Sequence, residues 1–351
     1  MSETMYDCYQ SQFDCLTRLL ENRETVLSGF ADYYAGVNPD RLYLVGSGTS
    51  FHACSAAAHY MENILGIEVT VCAATVMKKA HGKRPLVIAV SQTGLSTNTR
   101  GMVGRLVAAG VPVITLTDPK ITPVSEVASF SVLLQADDEK IGPKTRGYMA
   151  AVLTLYLMAL EVSALEQKKY DAEIADFRAV IEMGVKYLEN CAGFFENHKE
   201  KLSKAHSYIF AGKDAAGKVA AECALKILET VCYPAMGYEY EEFLHGPAFC
   251  ANENLALFLF LSDDVDKERM LKSSEMVGQA TENSYIISHD TGIQGCNVLC
   301  LPTTRPDAMS PFTDVLIAQL ISSLLPDIID RGRHTAVKDI LSAMDTKVKL
   351  P

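Results

Sequence analysis

Residues 41–66 read RLYLVGSGTSFHACSAAAHYMENILG and contain the most informative pattern in the chain. The apolar run at 41–46 predicts a buried parallel strand that ends at a glycine. The following residues predict a turn and a helix that ends at Gly66, with small side chains that allow close packing on a sheet. A strand, a turn and a helix in this order predict a right-handed βαβ unit of a mostly parallel sheet.

The same alternation continues along the first half of the chain and then begins again. Further strands are predicted at 67–72, 85–94, 111–118 and 129–135, followed by a long apolar helix at 145–165. Two pairs of segments match in type and order: 41–66 with 206–232, and 85–109 with 255–280. We therefore predict an α/β protein of two doubly wound, flavodoxin-like parallel-sheet subdomains arranged as a pseudo-repeat. The expected segments are an N-terminal helical part at 1–35 and subdomains at 36–195 and 196–351.

Composition and charge exclude several classes of protein. The 351 residues are 48% hydrophobic and 21% charged, with a mean hydropathy of +0.09, as in a folded globular protein. A formal net charge of −11 without basic clusters argues against nucleic acid or an anionic membrane surface as a partner. The longest apolar run, at 148–160, is short for a membrane span, and the N-terminus lacks a signal-peptide pattern.

The cysteines and histidines give no sign of a metal site. None of the ten cysteines forms a CxxC pair, and the eight histidines supply no cluster of ligands at short spacing. Most cysteines lie in apolar stretches, which predicts buried thiols in a reducing cytoplasm.

Two polar loops follow predicted strands and open predicted helices. The first contains Gly48, Thr49 and Ser50, and the second is Ser91-Gln92-Thr93-Gly94-Leu95-Ser96. Backbone amides at a helix start, the positive end of the helix dipole and uncharged hydroxyl groups together suit a phosphomonoester. We expect both loops at the carboxyl ends of adjacent parallel strands, where open α/β sheets bind ligands. Ordinary N-capping by serine and threonine is the alternative interpretation.

The equivalent turns of the second half are acidic. They read Gly212-Lys213-Asp214 and Ser262-Asp263-Asp264. Because carboxylates repel phosphate, we expect only the first subdomain to bind it.

Three ionisable residues, Glu222, Lys226 and Glu229, share one stripe of the helix predicted at 215–231. One interpretation is a salt-bridge ladder on the protein surface. The other is a helix packed on most sides, since its remaining faces are apolar, and a partly buried carboxylate in such a place can act as a general base. His245 follows shortly after, in a His-Gly-Pro turn outside any predicted helix or strand.

These motifs together resemble the sugar isomerase (SIS) domain family. The resemblance rests on GSGTS at 46–50, SQTGLSTNT at 91–99, AECALKILETV at 221–231 and EEFLHGP at 241–247. It is closest to the tandem-SIS isomerase half of glucosamine-fructose-6-phosphate aminotransferase and to fructoselysine-type 6-phosphate deglycases. It implies a doubly wound α/β sandwich in each half, a homodimer, and sugar-phosphate chemistry without a metal or an organic cofactor.

The resemblance also implies roles for individual residues. The positions that bind the phosphate correspond to Thr49, Ser50, Ser91, Gln92, Thr93 and Ser96, with Gly48 in the same loop. Glu229 corresponds to the general base that moves a proton between C1 and C2 of the sugar. His245 corresponds to the histidine that opens the sugar ring, which in relatives comes from the neighbouring subunit. Lys226 corresponds to a lysine near the substrate, and Lys347, by a loose match, to the C-terminal active-site lysine.

The chain departs from the family in two respects. The glutaminase domain is absent, so we expect this protein not to take ammonia from glutamine by itself. Where the family more often has Ser-Thr-Lys, this chain has Lys144-Thr145-Arg146. Lys144 and Arg146 either add positive charge beside the substrate and change specificity for the group on C1, for example a carboxylate-bearing amino acid, or form a surface pair.

The leading hypothesis is a cytoplasmic enzyme that acts on a 6-phosphorylated amino or imino sugar by proton transfer between C1 and C2. A fructosamine 6-phosphate deglycase or a related isomerase fits this description. Ketose–aldose isomerisation and deamination of an amino-sugar phosphate would use the same residues. A non-catalytic sugar-phosphate sensor is the alternative of another class, and it has no need for Glu229, His245 or a C-terminal lysine.

Overall fold

The computed structural model describes residues 3–165, 169–330, 344 and 346–348. Its α-helices are α1 Met5–Gln10, α2 Gln12–Glu21, α3 Arg23–Val26, α4 Phe30–Val37, α5 Thr49–Leu65, α6 Thr97–Ala108, α7 Arg146–Leu165, α8 Asp171–Glu182, α9 Gly184–Leu202, α10 Asp214–Thr230, α11 Tyr240–Leu244, α12 Lys267–Val277, α13 Pro306–Thr313 and α14 Val315–Ile328. Its strands are β1 Arg41–Gly46, β2 Glu68–Ala73, β3 Pro85–Val90, β4 Val113–Thr117, β5 Phe130–Leu133, β6 Ser207–Gly212, β7 Ala235–Glu239, β8 Leu255–Phe260, β9 Ser284–Ser288 and β10 Val298–Cys300. The strand and helix at 41–66 thus form where the opening pattern predicts them.

The chain divides into two compact units, called unit 1 and unit 2 below. Unit 1 is built on Ser11–Ile174 and includes the described C-terminal residues 346–348, while unit 2 contains Thr4–Gln10 and 175–330. This division differs from the predicted segments. The N-terminal part is not a separate body, because α1 packs on α14 of unit 2 and α2 packs on α7 of unit 1. The boundary also lies at residue 174 rather than 195.

The sheet of unit 1 has five parallel strands in the order β2-β1-β3-β4-β5. This is the flavodoxin-like order, with its reversal point between β1 and β3. Strands β1, β3 and β4 are almost completely buried, because helices cover both faces of a doubly wound sheet. The predicted fold class is therefore confirmed for this half of the chain.

Unit 2 repeats the same topology. Its parallel sheet has the order β10-β9-β8-β6-β7, which becomes 2-1-3-4-5 when its strands are counted from β6. The predicted correspondence of 41–66 with 206–232 is the correspondence of β1 and α5 with β6 and α10. Two copies of one strand order in one chain confirm the pseudo-repeat.

The sequence pattern did not predict strand β7. It is an edge strand of sequence AMGYE, mostly half-buried, so it has neither a continuous apolar run nor a clear alternation. Gly237 is required at its centre, because a Cβ there would lie 2.3 Å from the backbone of Ala220 in α10. The strand forms because α10 packs closely against it, and that contact is not visible in the local sequence.

Two apolar segments, Arg146–Leu165 and Pro306–Ile328, are long and apolar enough to cross a membrane by composition alone. Both are core elements of the folded units, with 78% and 94% of their most apolar windows buried. In unit 1, α7 packs along α5, and the rings of Tyr60 and Tyr156 stack with centroids 3.8 Å apart.

The cysteines are less uniformly buried than their apolar surroundings predict. Five are buried, at positions 8, 15, 54, 191 and 223, and burial raises the pKa of Cys15 and of Cys191 to about 12. Cys250 and Cys296, however, are exposed. Cys250 ends a short 3₁₀ helix at Pro247–Cys250, and Cys296 lies in the loop between β9 and β10. The prediction of buried thiols is wrong for these two.

Candidate functional site

The two hydroxyl-bearing loops of unit 1 lie side by side. Strand β1 ends at Gly46 and β3 ends at Val90, and the two strands pair in parallel, with Val45 opposite Ala89. The loops therefore leave the same edge of the sheet at the point where the strand order reverses. A crevice opens at such a point in doubly wound folds, and ligands bind there. The predicted adjacency of the two loops is confirmed, whereas their role in binding phosphate remains a prediction.

The first loop depends on two glycines. Gly48 has φ 56° and ψ −131°, a conformation that residues with a side chain rarely adopt, and it directly precedes α5. At Gly46, a Cβ would lie 2.6 Å from the backbone of Ser50, so the start of the helix approaches the strand end closely. Thr49 and Ser50 consequently occupy the first turn of α5, beside the positive end of a 17-residue helix.

The second loop is a tight turn that caps α6. Gly94 has φ 60° and its amide donates to the Ser91 carbonyl at 2.8 Å. A Cβ at Gly94 would lie 2.1 Å from the Thr122 hydroxyl oxygen, so only glycine fits. The Ser96 hydroxyl accepts a hydrogen bond from the Thr99 amide at 3.3 Å, which is the N-capping interaction named as the alternative. Its assignment to phosphate stays a prediction.

A buried carboxylate that sequence reasoning missed holds the second loop in place. Glu139 is 3% exposed and accepts a hydrogen bond from the Gln92 side-chain amide at 3.1 Å. It also accepts from the Thr145 amide at 2.7 Å, the Thr145 hydroxyl at 2.9 Å and the Gly147 amide at 3.1 Å. Glu139 thus ties the loop after β3 to the first turn of α7. Its signal in the sequence is an acidic residue shortly before the start of a long apolar helix.

Gln92, predicted to bind substrate, turns its side chain inward. It is 9% exposed, and its amide oxygen would lie 1.9 Å from a Cβ added at Gly147. Gln92 therefore packs directly on the helix start, and its backbone carbonyl accepts from the Asp118 amide at 2.6 Å.

Lys144 and Arg146 have different partners. The Lys144 ammonium donates to the Glu139 backbone carbonyl. Arg146 is 6% exposed, and its guanidinium pairs with the Glu3 carboxylate at 2.8 Å and donates to the Ser11 hydroxyl at 2.9 Å. The surface pair considered for these two residues is contradicted for Arg146, because it is buried and neutralised by the N-terminal segment. Lys144 remains a predicted substrate-binding residue.

The C-terminal segment lies against the second loop. Lys347 forms an antiparallel bridge with Ser96, and the Val348 amide donates to the Leu95 carbonyl at 2.7 Å. The Thr97 amide donates to the Thr346 carbonyl at 3.3 Å. Lys347, which is exposed, is therefore fixed by its backbone beside a predicted phosphate-binding residue. The predicted second subdomain, 196–351, includes this C-terminal segment, whereas the structure places the segment in unit 1.

In unit 2, α10 carries the three ionisable residues on one stripe, of which two are buried. The Lys226 ammonium is 0% exposed and lies 2.6 Å from the Glu229 carboxylate and 3.4 Å from that of Glu222. Burial lowers the pKa of Lys226, but the two carboxylates outweigh that effect and raise it above its ordinary value. Glu222 is also 0% exposed, whereas the Glu229 side chain is 35% exposed. The surface ladder is therefore wrong, and Glu229 is the member of the stripe that reaches solvent.

His245 ends the short helix α11 and is exposed. The helix is capped by Glu239, whose carboxylate accepts from the Glu241 amide at 2.7 Å and from the Glu242 amide at 3.3 Å. Glu241 in turn pairs with Arg269. The predicted position of His245 outside regular structure is confirmed, and its catalytic role stays a prediction.

Comparison with known proteins assigns a family to the first unit. The family model of the SIS domain matches residues 37–165. That segment is similar to SIS domains. It contains both hydroxyl-bearing loops, Glu139 and Lys144, and the predicted family resemblance is confirmed.

Similarity to known sequences extends beyond that segment. The glutamine–fructose-6-phosphate aminotransferase (isomerizing) of Oceanobacillus iheyensis is 23% identical over 288 residues, which are 81% of this chain and 48% of that protein. The chain thus spans about half the length of this relative.

Solved structures share the tandem fold. A candidate phosphosugar isomerase from Clostridium difficile 630 has a TM-score of 0.85 at 22% identity and covers 95% of each chain. The C-terminal domain of glucosamine-fructose-6-phosphate aminotransferase from Francisella tularensis has a TM-score of 0.80 at 17% identity, over 94% of this chain and 97% of that one. At these identities the likeness establishes the fold of the SIS domain and of the unit that repeats it.

Proposed function

We propose that the protein is an enzyme that acts on a 6-phosphorylated amino or imino sugar by moving a proton between C1 and C2. The observation that carries this proposal is the pair of hydroxyl-bearing loops at the reversal point of the unit 1 sheet, with Lys347 held beside the second loop by its backbone. Loops of this kind bind a phosphomonoester through uncharged donors and helix amides.

The phosphate is bound by the two loops of unit 1. The donors are the hydroxyls and amides of Thr49, Ser50, Ser91, Thr93 and Ser96, with Gly48 giving the ligand close access to the backbone. Gln92 holds the second loop in position through the hydrogen bond that its side-chain amide donates to Glu139. Lys144 and Lys347 are the cations of this unit assigned to the substrate.

The proton transfer is carried out by Glu229 of unit 2. His245 opens the sugar ring, and Lys226, paired with Glu229 at 2.6 Å, orients its carboxylate. Starting from the open-chain form of a fructosamine 6-phosphate, Glu229 removes a proton from C1 and returns one to C2. The proton on the amine nitrogen moves to the oxygen on C2, which becomes a hydroxyl, and an imine is left at C1. Water then adds to C1, and the C–N bond breaks to release an amine and a hexose 6-phosphate. General acid–base catalysis of this kind contributes about 10²–10⁴ in rate.

The proposal includes a cytoplasmic homodimer in which His245 acts on the substrate of the neighbouring subunit. The burial of five thiols in apolar surroundings supports a reducing compartment. The exposed position of His245 is compatible with a contact across a subunit interface.

The experiment is a substrate panel of fructoselysine 6-phosphate, glucosamine 6-phosphate and fructose 6-phosphate, with assays for free amine, ammonia and aldose–ketose interconversion. We expect release of amine from the first compound. We expect Glu229→Gln to lower kcat by about 10²-fold or more while phosphosugar binding stays nearly intact, because only the base is lost. Glu275→Gln, at an exposed position on α12, is the matched control and should keep full activity.

The outcomes separate the alternatives. Ammonia from glucosamine 6-phosphate, or interconversion of fructose 6-phosphate alone, identifies a deaminase or an isomerase instead of a deglycase. Tight binding of phosphosugars without turnover of any member of the panel identifies a sensor. A Glu229→Gln variant that retains most of its kcat contradicts the assignment of the base.

A further inference from the structure

Unit 2 contains a cavity at the same topological position as the phosphate loops of unit 1. It lies at the reversal point between β6 and β8 and has a volume of about 270 Å³. Its walls are formed by the ends of β8 and β9 and by the first turns of α10 and α13. Since water occupies about 30 Å³ per molecule in the liquid, the cavity has room for a molecule of hexose size. We call it the unit 2 cavity.

Three buried polar side chains line the unit 2 cavity and have unsatisfied atoms. Ser310 is 2% exposed, and the side chains of His289 and Asp314 are 5% and 0% exposed. Within the described residues, Ser310 Oγ, His289 Nδ1 and Asp314 Oδ2 have no hydrogen-bond partner. Buried polar atoms are almost always paired, so three such atoms around one cavity indicate that it is built for a polar occupant.

The buried groups offer both donors and acceptors. His289 Nε2 lies 2.8 Å from Asp314 Oδ1 and 3.0 Å from the Thr313 hydroxyl, which fixes the imidazole ring. Burial lowers the pKa of His289, but the charge of Asp314 outweighs burial and raises it above its ordinary value. His289 Nδ1 donates when the ring is protonated and accepts when the only ring proton is on Nε2, Asp314 Oδ2 accepts and the Ser310 hydroxyl does both. Hydroxyl groups of a ligand match such a mixed set.

The rim of the cavity is acidic. It carries four carboxylates and one lysine, namely Asp214, Asp263, Asp264, Asp307 and Lys213. Lys213 is already paired with Asp264 at 2.6 Å and with Asp266 at 2.5 Å. Asp263 is paired with Lys267, which also pairs with Asp290, so the carboxylates still outnumber the lysines. An anionic ligand is therefore repelled, and a cationic one is attracted. In the part of the chain that the structure describes, no three His, Cys, Asp or Glu side chains are arranged to hold a metal ion.

We propose that the unit 2 cavity binds a small polyhydroxyl compound without negative charge, and an amino sugar in preference to a neutral one. The pseudo-repeat thus has two ligand sites of opposite preference, one for a phosphorylated sugar in unit 1 and one for an unphosphorylated sugar in unit 2. The ammonium group of an amino sugar pairs with the rim carboxylates, and its hydroxyls complete the hydrogen bonds of Ser310, His289 and Asp314.

The test is calorimetric titration of the full chain with glucosamine and with glucose. We expect saturable binding of both, with glucosamine the tighter. Ser310→Ala should weaken both by up to about tenfold, because one hydrogen bond is lost. The midpoint temperature of thermal unfolding of the Ser310→Ala variant should be unchanged or slightly higher, because the hydroxyl has no partner to lose in the free protein. Asp307→Asn, at the exposed rim, should weaken only glucosamine, by about two- to fivefold.

Two controls separate this site from the proposed active site. Glu275→Gln lies outside the cavity and should leave both affinities unchanged. Glu229→Gln should also leave both unchanged, even if the proposed function is wrong, because it does not line the cavity. The absence of saturable binding, or a Ser310→Ala variant that binds both sugars like the native chain, overturns the proposal.

Discussion

At the scale of single residues, the most informative side chain of unit 1 is one that no motif includes. Glu139 accepts four hydrogen bonds from Gln92, Thr145 and Gly147 while almost completely buried. It is a positioning residue, because its hydrogen bond to the loop assigned to phosphate is made with Gln92. The loop after β3 therefore depends on a residue that is 47 positions away in the chain.

Replacing this carboxylate tests that dependence. Glu139→Gln puts an amide group opposite backbone donors, so we expect the free energy of unfolding to fall by about 1–3 kcal/mol. The affinity for a phosphosugar should fall as well, because Gln92 loses its fixed position. Urea unfolding and ligand titration measure the two effects. Glu126→Gln, at an exposed position in the same unit, is the control, and equal behaviour of the two variants would contradict the role of Glu139.

Residue identities were the most predictable part of the candidate site. The strand–glycine–hydroxyl patterns indicated the two loops, because their chemistry is local and each lies within a few consecutive positions. The environments of Arg146 and Lys226 were not predictable. Arg146 pairs with Glu3, which lies 143 positions earlier in the chain and belongs to no motif.

At the scale of elements, the C-terminal segment and the second loop act as a pair. The backbone of Thr346, Lys347 and Val348 bonds to residues 95–97, so this contact does not depend on the lysine side chain. The side chain and the backbone of the segment can therefore be tested separately.

Two variants make this separation. Lys347→Ala keeps the backbone bridge, so we expect kcat to fall with little change in KM. A chain ending at residue 343 lacks the bridge, so we expect KM for the phosphosugar to rise as well, because the second loop loses its neighbour. Steady-state kinetics on the substrate found in the panel provide both constants. Identical KM values for the two variants would show that the segment does not support the loop.

Elements with strong local patterns were predicted, and those that depend on packing were not. Strands β1, β3 and β8 are continuous apolar runs, which identify buried parallel strands. Strand β7 exists because α10 packs against Gly237, and the bridge at Lys347 exists because the chain returns to unit 1. Neither the strand nor the bridge can be predicted from a short segment of sequence.

At the scale of the whole molecule, the proposed reaction uses His245 supplied by the neighbouring subunit. This arrangement predicts complementation between inactive variants. If Glu229→Gln and His245→Ala are mixed and allowed to exchange subunits, mixed dimers regain one native site each, and about a quarter of the native activity should return.

Activity assays after subunit exchange, with each variant alone as the control, measure this recovery. Sedimentation analysis establishes the dimer independently. A mixture that stays inactive although mixed dimers form would mean that Glu229 and His245 serve the same subunit's site.

The sequence by itself determined the α/β class, the duplication, the SIS resemblance and the two hydroxyl-bearing loops. These features follow from hydrophobic period, glycine placement and residue chemistry within segments of a few tens of residues. The tertiary structure decided which unit holds the C-terminal lysine, that Lys226 is buried between two carboxylates, and that Ser310, His289 and Asp314 face one cavity. Those facts depend on contacts between residues far apart in the chain, because burial and electrostatic environment arise only when distant elements pack together.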